Sequence, residues 1–136
     1  AYIVAEDLAL RQIQQEENLP LIRHVEIGGS AFDGIMLDHD LITCIEVAFV
    51  VEPTLRKEKA DSIVRKVATA KRNLLKARSR LRIRTMIVVV TQLEDNEFEE
   101  LRVNLKEHTF NRDQDFDSVE VRFQEFELLQ KVYLSD

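Results

Sequence analysis

The sequence predicts an α/β fold, a mixed central β-sheet flanked by helices, in the order α-β-β-β-α-β-α-β with a final helix after the last strand. Three observations carry this. Strand-length runs at residues 23–29, 32–37 and 41–51 follow one another through turn signals alone, as hairpin-linked antiparallel strands do. A long amphipathic stretch then separates them from the apolar run Met86-Ile87-Val88-Val89-Val90, which is the spacing of a helical crossover to a buried strand. Finally, 136 residues suffice for one sizeable core and are too few for two, so residues 1–136 are expected to form one domain.

The elements follow in order. Residues 2–18 read as a helix, with Ile3, Leu10 and Ile13 on one stripe, widened by Ala5, Leu8 and Ala9, and with Asn18-Leu19-Pro20 ending it. The strand at 23–29 stops at Gly28-Gly29, the strand at 32–37 runs into the turn Asp38-His39-Asp40, and the strand at 41–51 is apolar on both faces, as a central strand is. Pro53 opens a helix to about residue 81, whose apolar positions Ala60, Ile63, Val64, Val67, Leu74, Leu75 and Leu81 keep three/four spacing. A strand at 83–91 follows, then an acidic helix from 94 to about 108, a polar loop at 111–117, a strand marked by Val119, Val121 and Phe123, and a helix at 126–133. Phe110, Phe116, Phe123 and Phe126 are expected in the core.

Composition excludes several classes. Apolar residues at 45% and charged residues at 32% describe a folded globular chain and not a disordered one. The single cysteine, Cys44, forbids an intrachain disulfide and fits a reducing, cytoplasmic setting; lying in an apolar strand, it reads as a small core residue. The longest apolar stretch is too short to cross a bilayer, and no signal peptide is visible. A chain that opens at Ala1 and is at once in a helical pattern is expected to be one domain of a longer protein. His24, His39 and His108 lack metal-ligand spacing, and there is no P-loop, dinucleotide fingerprint or CxxC pair.

Charge is distributed unevenly. The net charge is −6, yet residues 56–84 hold 12 of the 19 basic residues against Glu58 and Asp61, so that segment carries +10 and the rest −16. Such asymmetry is the footprint of an edge that faces a polyanion. Arg56, Lys57, Lys59, Lys66, Lys71 and Arg72 are the expected phosphate contacts. The alternative is a solvated helix face that balances acids elsewhere in the fold.

Three carboxylates interrupt apolar patterns. Glu46 is the one charge in the strand at 41–51, Asp33 the one charge between Ile27 and Leu37, and Glu6 lies in the stripe of Ile3, Leu10 and Ile13. A hard cation such as Mg²⁺ accounts for all three. Each has a plainer alternative: Glu6 suits the dipole of a helix N-terminus, Asp33 a strand edge or turn, and Glu46 pairing with a buried Arg or Lys.

Ser30-Ala31-Phe32-Asp33-Gly34-Ile35, a turn, and Ile45-Glu46-Val47-Ala48-Phe49 resemble the signature of the PD-(D/E)XK, restriction-endonuclease-like nucleases, and the order α-β-β-β-α-β over residues 2–91 is similar to their core. The resemblance implies a metal-dependent DNA endonuclease. Asp33, Glu46 and the backbone carbonyl of Val47 would bind Mg²⁺, with Mn²⁺ able to substitute, and Glu6 would make an outer-sphere or second-metal contact. DNA is the implied substrate, RNA stays open, and a homodimer would serve to cut both strands.

The chain departs from that signature at one residue. Where the motif has a lysine that orients the attacking water, this sequence has Ala48. Three explanations stand: an engineered Lys-to-Ala change, a natural pseudo-nuclease that binds nucleic acid or protein, or a lysine supplied by the following helix, from Lys57, Lys59 or Lys66. Retention of Asp33 and Glu46 in an apolar sheet favours the first, with the natural inactive domain next and the migrated lysine last. On the first two, this chain is catalytically disabled at Ala48, and on the first, Ala48→Lys would restore metal-dependent cleavage.

Overall fold

The structure, a computed structural model, describes residues 2–105 and 119–134. It is an α/β protein with one five-stranded mixed sheet flanked by helices. The elements are α1 (Tyr2–Glu17), β1 (Leu21–Ile27), β2 (Ser30–Asp38), β3 (Leu41–Val50), α2 (Lys57–Lys76), β4 (Arg82–Thr91), α3 (Asp95–Asn104), β5 (Val119–Glu125) and α4 (Phe126–Leu134), in the expected order. The strands lie side by side in chain order; β1, β2 and β3 are antiparallel, while β4 and β5 continue parallel to β3. The helices α2 and α3 are the two crossovers that parallel pairing requires.

The pleat sorts the core. On β3, Ile45 and Val47 face α1 and α4, where they pack with Leu8, Leu10, Ile13 and Phe126. Ala48 and Val50 point to the opposite face, against Ala60, Ile63 and Leu101 of α2 and α3. A third cluster puts Phe32, Ile35, Ile42 and Cys44 under Val67 and Ala70 of α2. Phe126 is buried in the core as expected, Phe123 is half-buried against the second cluster, and Phe126 meets Phe49 edge to face with ring centres 5.2 Å apart. Phe110, Phe116, His108 and the polar loop at 111–117 lie outside the described residues.

Helix α2 is shorter than its apolar spacing predicts. Residues 51–54 bend, with Thr54 N–H donating to Glu52 O, and the helix begins after Arg56. It ends because Arg78 takes a left-handed φ of 54°, while Arg78 and Ser79 donate their N–H groups to the carbonyls of Leu75 and Leu74. Leu81, placed on the core stripe by spacing alone, falls beyond this end and is exposed; Leu75, within α2, is exposed as well, as is Ile3 at the start of α1. Strand β1 begins at Leu21, two residues earlier than expected, because Leu21 pairs with Met36.

The β1–β2 turn presses on α2. Gly28 and Gly29 have φ of 56° and 83°, the conformation of a two-residue turn that matches strand twist. A Cβ on Gly28 would stand 2.8 Å from the Cα and carbonyl oxygen of Ala70, and Asn73 Nδ2 donates to Gly28 O at 2.7 Å. Gly28→Ala is expected to lower stability by about 2 kcal/mol or more, read by urea denaturation, because it joins a left-handed strain to a backbone clash.

The alternation slips by one residue in two adjacent strands. In β2, Phe32 and Ile35 pack on the α2 side, whereas Met36 packs on the α1 side and Gly34 abuts Leu10. In β1, Leu21 packs on the α1 side, while Val25 and Ile27 pack on the α2 side. The slips fall at Asp33 and at His24, whose φ is 52°; the flanking pairs Arg23–Gly34 and Val25–Phe32 make these two residues cross-strand neighbours. Matching slips keep the register while twisting the sheet at this point.

Candidate functional site

Beyond the pair Gly34–Ile45 the β2–β3 ladder stops, and two side chains replace it. Asp33 N–H donates to Glu46 Oε2 at 3.0 Å, and Val47 N–H donates to Asp33 Oδ2 at 2.8 Å. Each carboxylate thus satisfies a backbone donor of the opposite strand. The reciprocal bracket gives both residues a structural reason to be where they are, and it fixes them side by side.

Glu46 is buried, with 1% of its surface exposed. Lys66 of α2 donates from Nζ to Glu46 Oε1 at 2.5 Å, while keeping a third of its own side chain in water. Burial raises the Glu46 carboxyl above its ordinary range and the Asp33 charge raises it further, against the hydrogen bond from Lys66. Cys44, on the same face of β3, has its thiol pushed up to about 12 by burial and by Glu46, so it is an inert core residue.

Glu6 of α1 is almost fully covered and pairs through Oε1 with His24 Nε2 at 3.1 Å. Burial raises its carboxyl, and the Asp33 charge adds to that, with His24, Arg23 and Lys59 opposing. Tyr2, one turn earlier, donates from its hydroxyl to Val47 O at 2.8 Å. Its phenol is held far above the ordinary range by burial and then by Asp33, Glu6 and Glu46 in turn. The fields of all three carboxylates therefore converge on Tyr2. Tyr2→Phe is expected to lower thermal stability in chelator by about 1 kcal/mol, the worth of one part-buried hydrogen bond.

The six basic residues expected to contact phosphate divide. Arg56 and Lys57 are exposed at the start of α2, and Lys59 stands close enough for its charge to act on Glu6. Lys66 belongs to the carboxylate site itself. Lys71 and Arg72 lie in the C-terminal half of α2, beyond the Ala70 contact with the β1–β2 turn. Beyond α2, Arg82 pairs with Asp40 at 3.0 Å and Arg84 donates to Thr43, both toward the start of β3. The basic residues of 56–84 thus lie at both ends of α2, within the carboxylate site and on β4.

Lys66 is the residue whose place the sequence left open. Its signal is there: it stands between Ile63 and Ala70 on the buried stripe of α2, a charge in an apolar pattern of the same kind that singled out Glu46. Ala48 is 3% exposed, packs in the core beneath α2 and shares a face with Glu46.

The donor set suits a hard cation that keeps much of its water. Mg²⁺ is held by one or two carboxylates plus substrate phosphate oxygens. Asp33 and Glu46 supply two carboxylates, and Val47 O has a second lone pair beside its bond from Tyr2. Among the described residues no three His, Cys, Asp or Glu side chains stand close enough to cage an ion by themselves. No protein-family model, curated protein or solved structure matches this chain. Among the described residues no helix is long and apolar enough to cross a membrane.

Proposed function

We propose that the chain is a restriction-endonuclease-like domain that hydrolyses phosphodiester bonds of DNA with Mg²⁺ or Mn²⁺ at Asp33 and Glu46, and that Lys66 takes the role of the lysine absent at position 48. One observation carries this reading: the Lys66 ammonium lies 2.5 Å from Glu46 Oε1, and Glu46 is bracketed with Asp33. The element order α-β-β-β-α-β through β4 supports it.

A bound cation would supply a water of lowered pKa and neutralise charge on the scissile phosphate. The chain's own residues do the rest. Asp33 and Glu46 would hold the cation, and the Val47 carbonyl could add a contact. Lys66 engages Oε1 of Glu46 while Asp33 N–H engages Oε2, and its ammonium would orient the attacking water and offset charge that develops on phosphate oxygens. Glu6, Arg23 and His24 border the site and set its charge. With Lys66 in place, activity does not require a lysine at position 48, and Ala48 reads as natural.

A second reading has one observation in its favour. Both Glu46 oxygens already hold partners, Asp33 N–H and Lys66, which suits a domain that binds nucleic acid or protein without cutting. Calorimetric titration separates the two. Mn²⁺ added to the parent chain is expected to give a saturable heat that disappears in Asp33→Ala and in Glu46→Ala. A parent that binds no cation, with both variants folded, would leave the non-catalytic reading standing.

A further inference from the structure

The connection 51–56 leaves an open cavity of about 570 Å³ between the end of β3 and the start of α2, and Ala48 forms part of its floor. That volume is typical of small-ligand sites. Phe49, Val51 and Leu55 give it apolar lining, and Arg56 and Lys59 also line it. Tyr2 is both a wall of this cavity and the donor to Val47 O, so the cavity opens directly beside the carboxylate site.

We propose that this cavity takes one nucleotide, with the base against the Val51 and Leu55 wall and its phosphate at Arg56 and Lys59, and that alanine at position 48 keeps it open. The placement as a substrate subsite rests on the hydrolytic reading above; the cavity's preference for a nucleotide does not. Apolar lining together with two cations matches a flat base carrying a phosphate. Glu52 and Glu58, which also line the cavity, leave it close to neutral and disfavour a polyphosphate. The cavity is therefore complementary to a single monophosphate unit within a chain. A lysine at position 48 would project into the same space from the face that carries Glu46.

The probe is 2′-deoxyadenosine 5′-monophosphate, titrated in chelator and followed by amide chemical shifts, with Mn²⁺ binding measured separately by calorimetry. The parent is expected to bind it, with shifts clustered at residues 48–59. Ala48→Leu, which fills the floor, and Arg56→Glu, an exposed change that spares the fold, should each weaken binding at least tenfold while leaving Mn²⁺ affinity within about twofold. Inorganic phosphate alone should bind at least tenfold more weakly than the nucleotide. Equal affinity for phosphate, shifts elsewhere, or unchanged nucleotide affinity in folded Arg56→Glu would overturn the proposal. Nucleotide binding without any Mn²⁺ binding would keep the cavity assignment and remove the hydrolytic reading instead.

Discussion

Lys66→Met is expected to lower stability by about 2–3 kcal/mol at neutral pH and to reduce cleavage by at least ~100-fold. The stability loss comes from Glu46, which is 1% exposed and would be left charged in the core without its nearest cation. The figure is set below the ~3–5 kcal/mol of a fully buried broken pair because Lys66 keeps a third of its side chain in water. The loss depends on pH. Glu46 already titrates above its ordinary value of 4.5 in the folded chain, and removing Lys66 raises it further. A raised carboxyl pKa destabilises the fold only where the unfolded chain is ionised. The penalty is thus absent below the ordinary value, grows as pH rises through the raised folded pKa, and is constant above it. Urea denaturation should show the deficit relative to parent small at about pH 4 and growing toward about pH 7.5. A deficit below about 0.5 kcal/mol at both pH values would mean that Lys66 is an ordinary surface lysine beside the site.

Asp33→Asn separates charge from shape. Asparagine Oδ1 can still accept from Val47 N–H, so the bracket between β2 and β3 survives. What disappears is the negative charge that raises both Glu46 and Glu6. In chelator the variant should be as stable as the parent or more stable by ~0.5–1 kcal/mol, the scale of a partly screened charge interaction. Its Mn²⁺ affinity should fall by on the order of 100-fold, since loss of an outer-shell partner alone is worth about 10–100-fold and this residue is proposed as a ligand. A variant that loses both stability and nothing of its cation affinity would make Asp33 a strand-pairing residue only. The opposed signs, gained stability with lost binding, are what a site that holds carboxylates together for a cation requires.

Most of the framework could be read from the chain because charge and apolarity alternate on different periods in strand and helix. Asp33 and Glu46 stood out because a strand interior offers a charge no water, and Glu6 because it sits within a buried stripe. Lys66 breaks a stripe in the same way, but α2 is so rich in Lys and Arg that one inward-facing cation does not stand apart until its register over β3 is known. The end of α2 lacks the usual marker: its left-handed residue is Arg78, where glycine or asparagine would signal the stop. The slip at His24 left no trace at all, since nothing in a histidine within an alternating run announces a φ of 52°. That slip lies across from Asp33, and it brings His24 onto Glu6, a contact that neither residue's spacing suggests.

Cleavage of a labelled DNA duplex by the parent chain and by Lys66→Met, at saturating Mn²⁺ and with parallel calorimetric proof that both bind the ion, tests the central claim most directly. The parent, with alanine at position 48, should cut, and Lys66→Met should bind Mn²⁺ yet cut at least ~100-fold more slowly. A folded, Mn²⁺-bound parent that leaves both DNA and RNA intact would contradict the account, and so would equal cleavage by the two proteins.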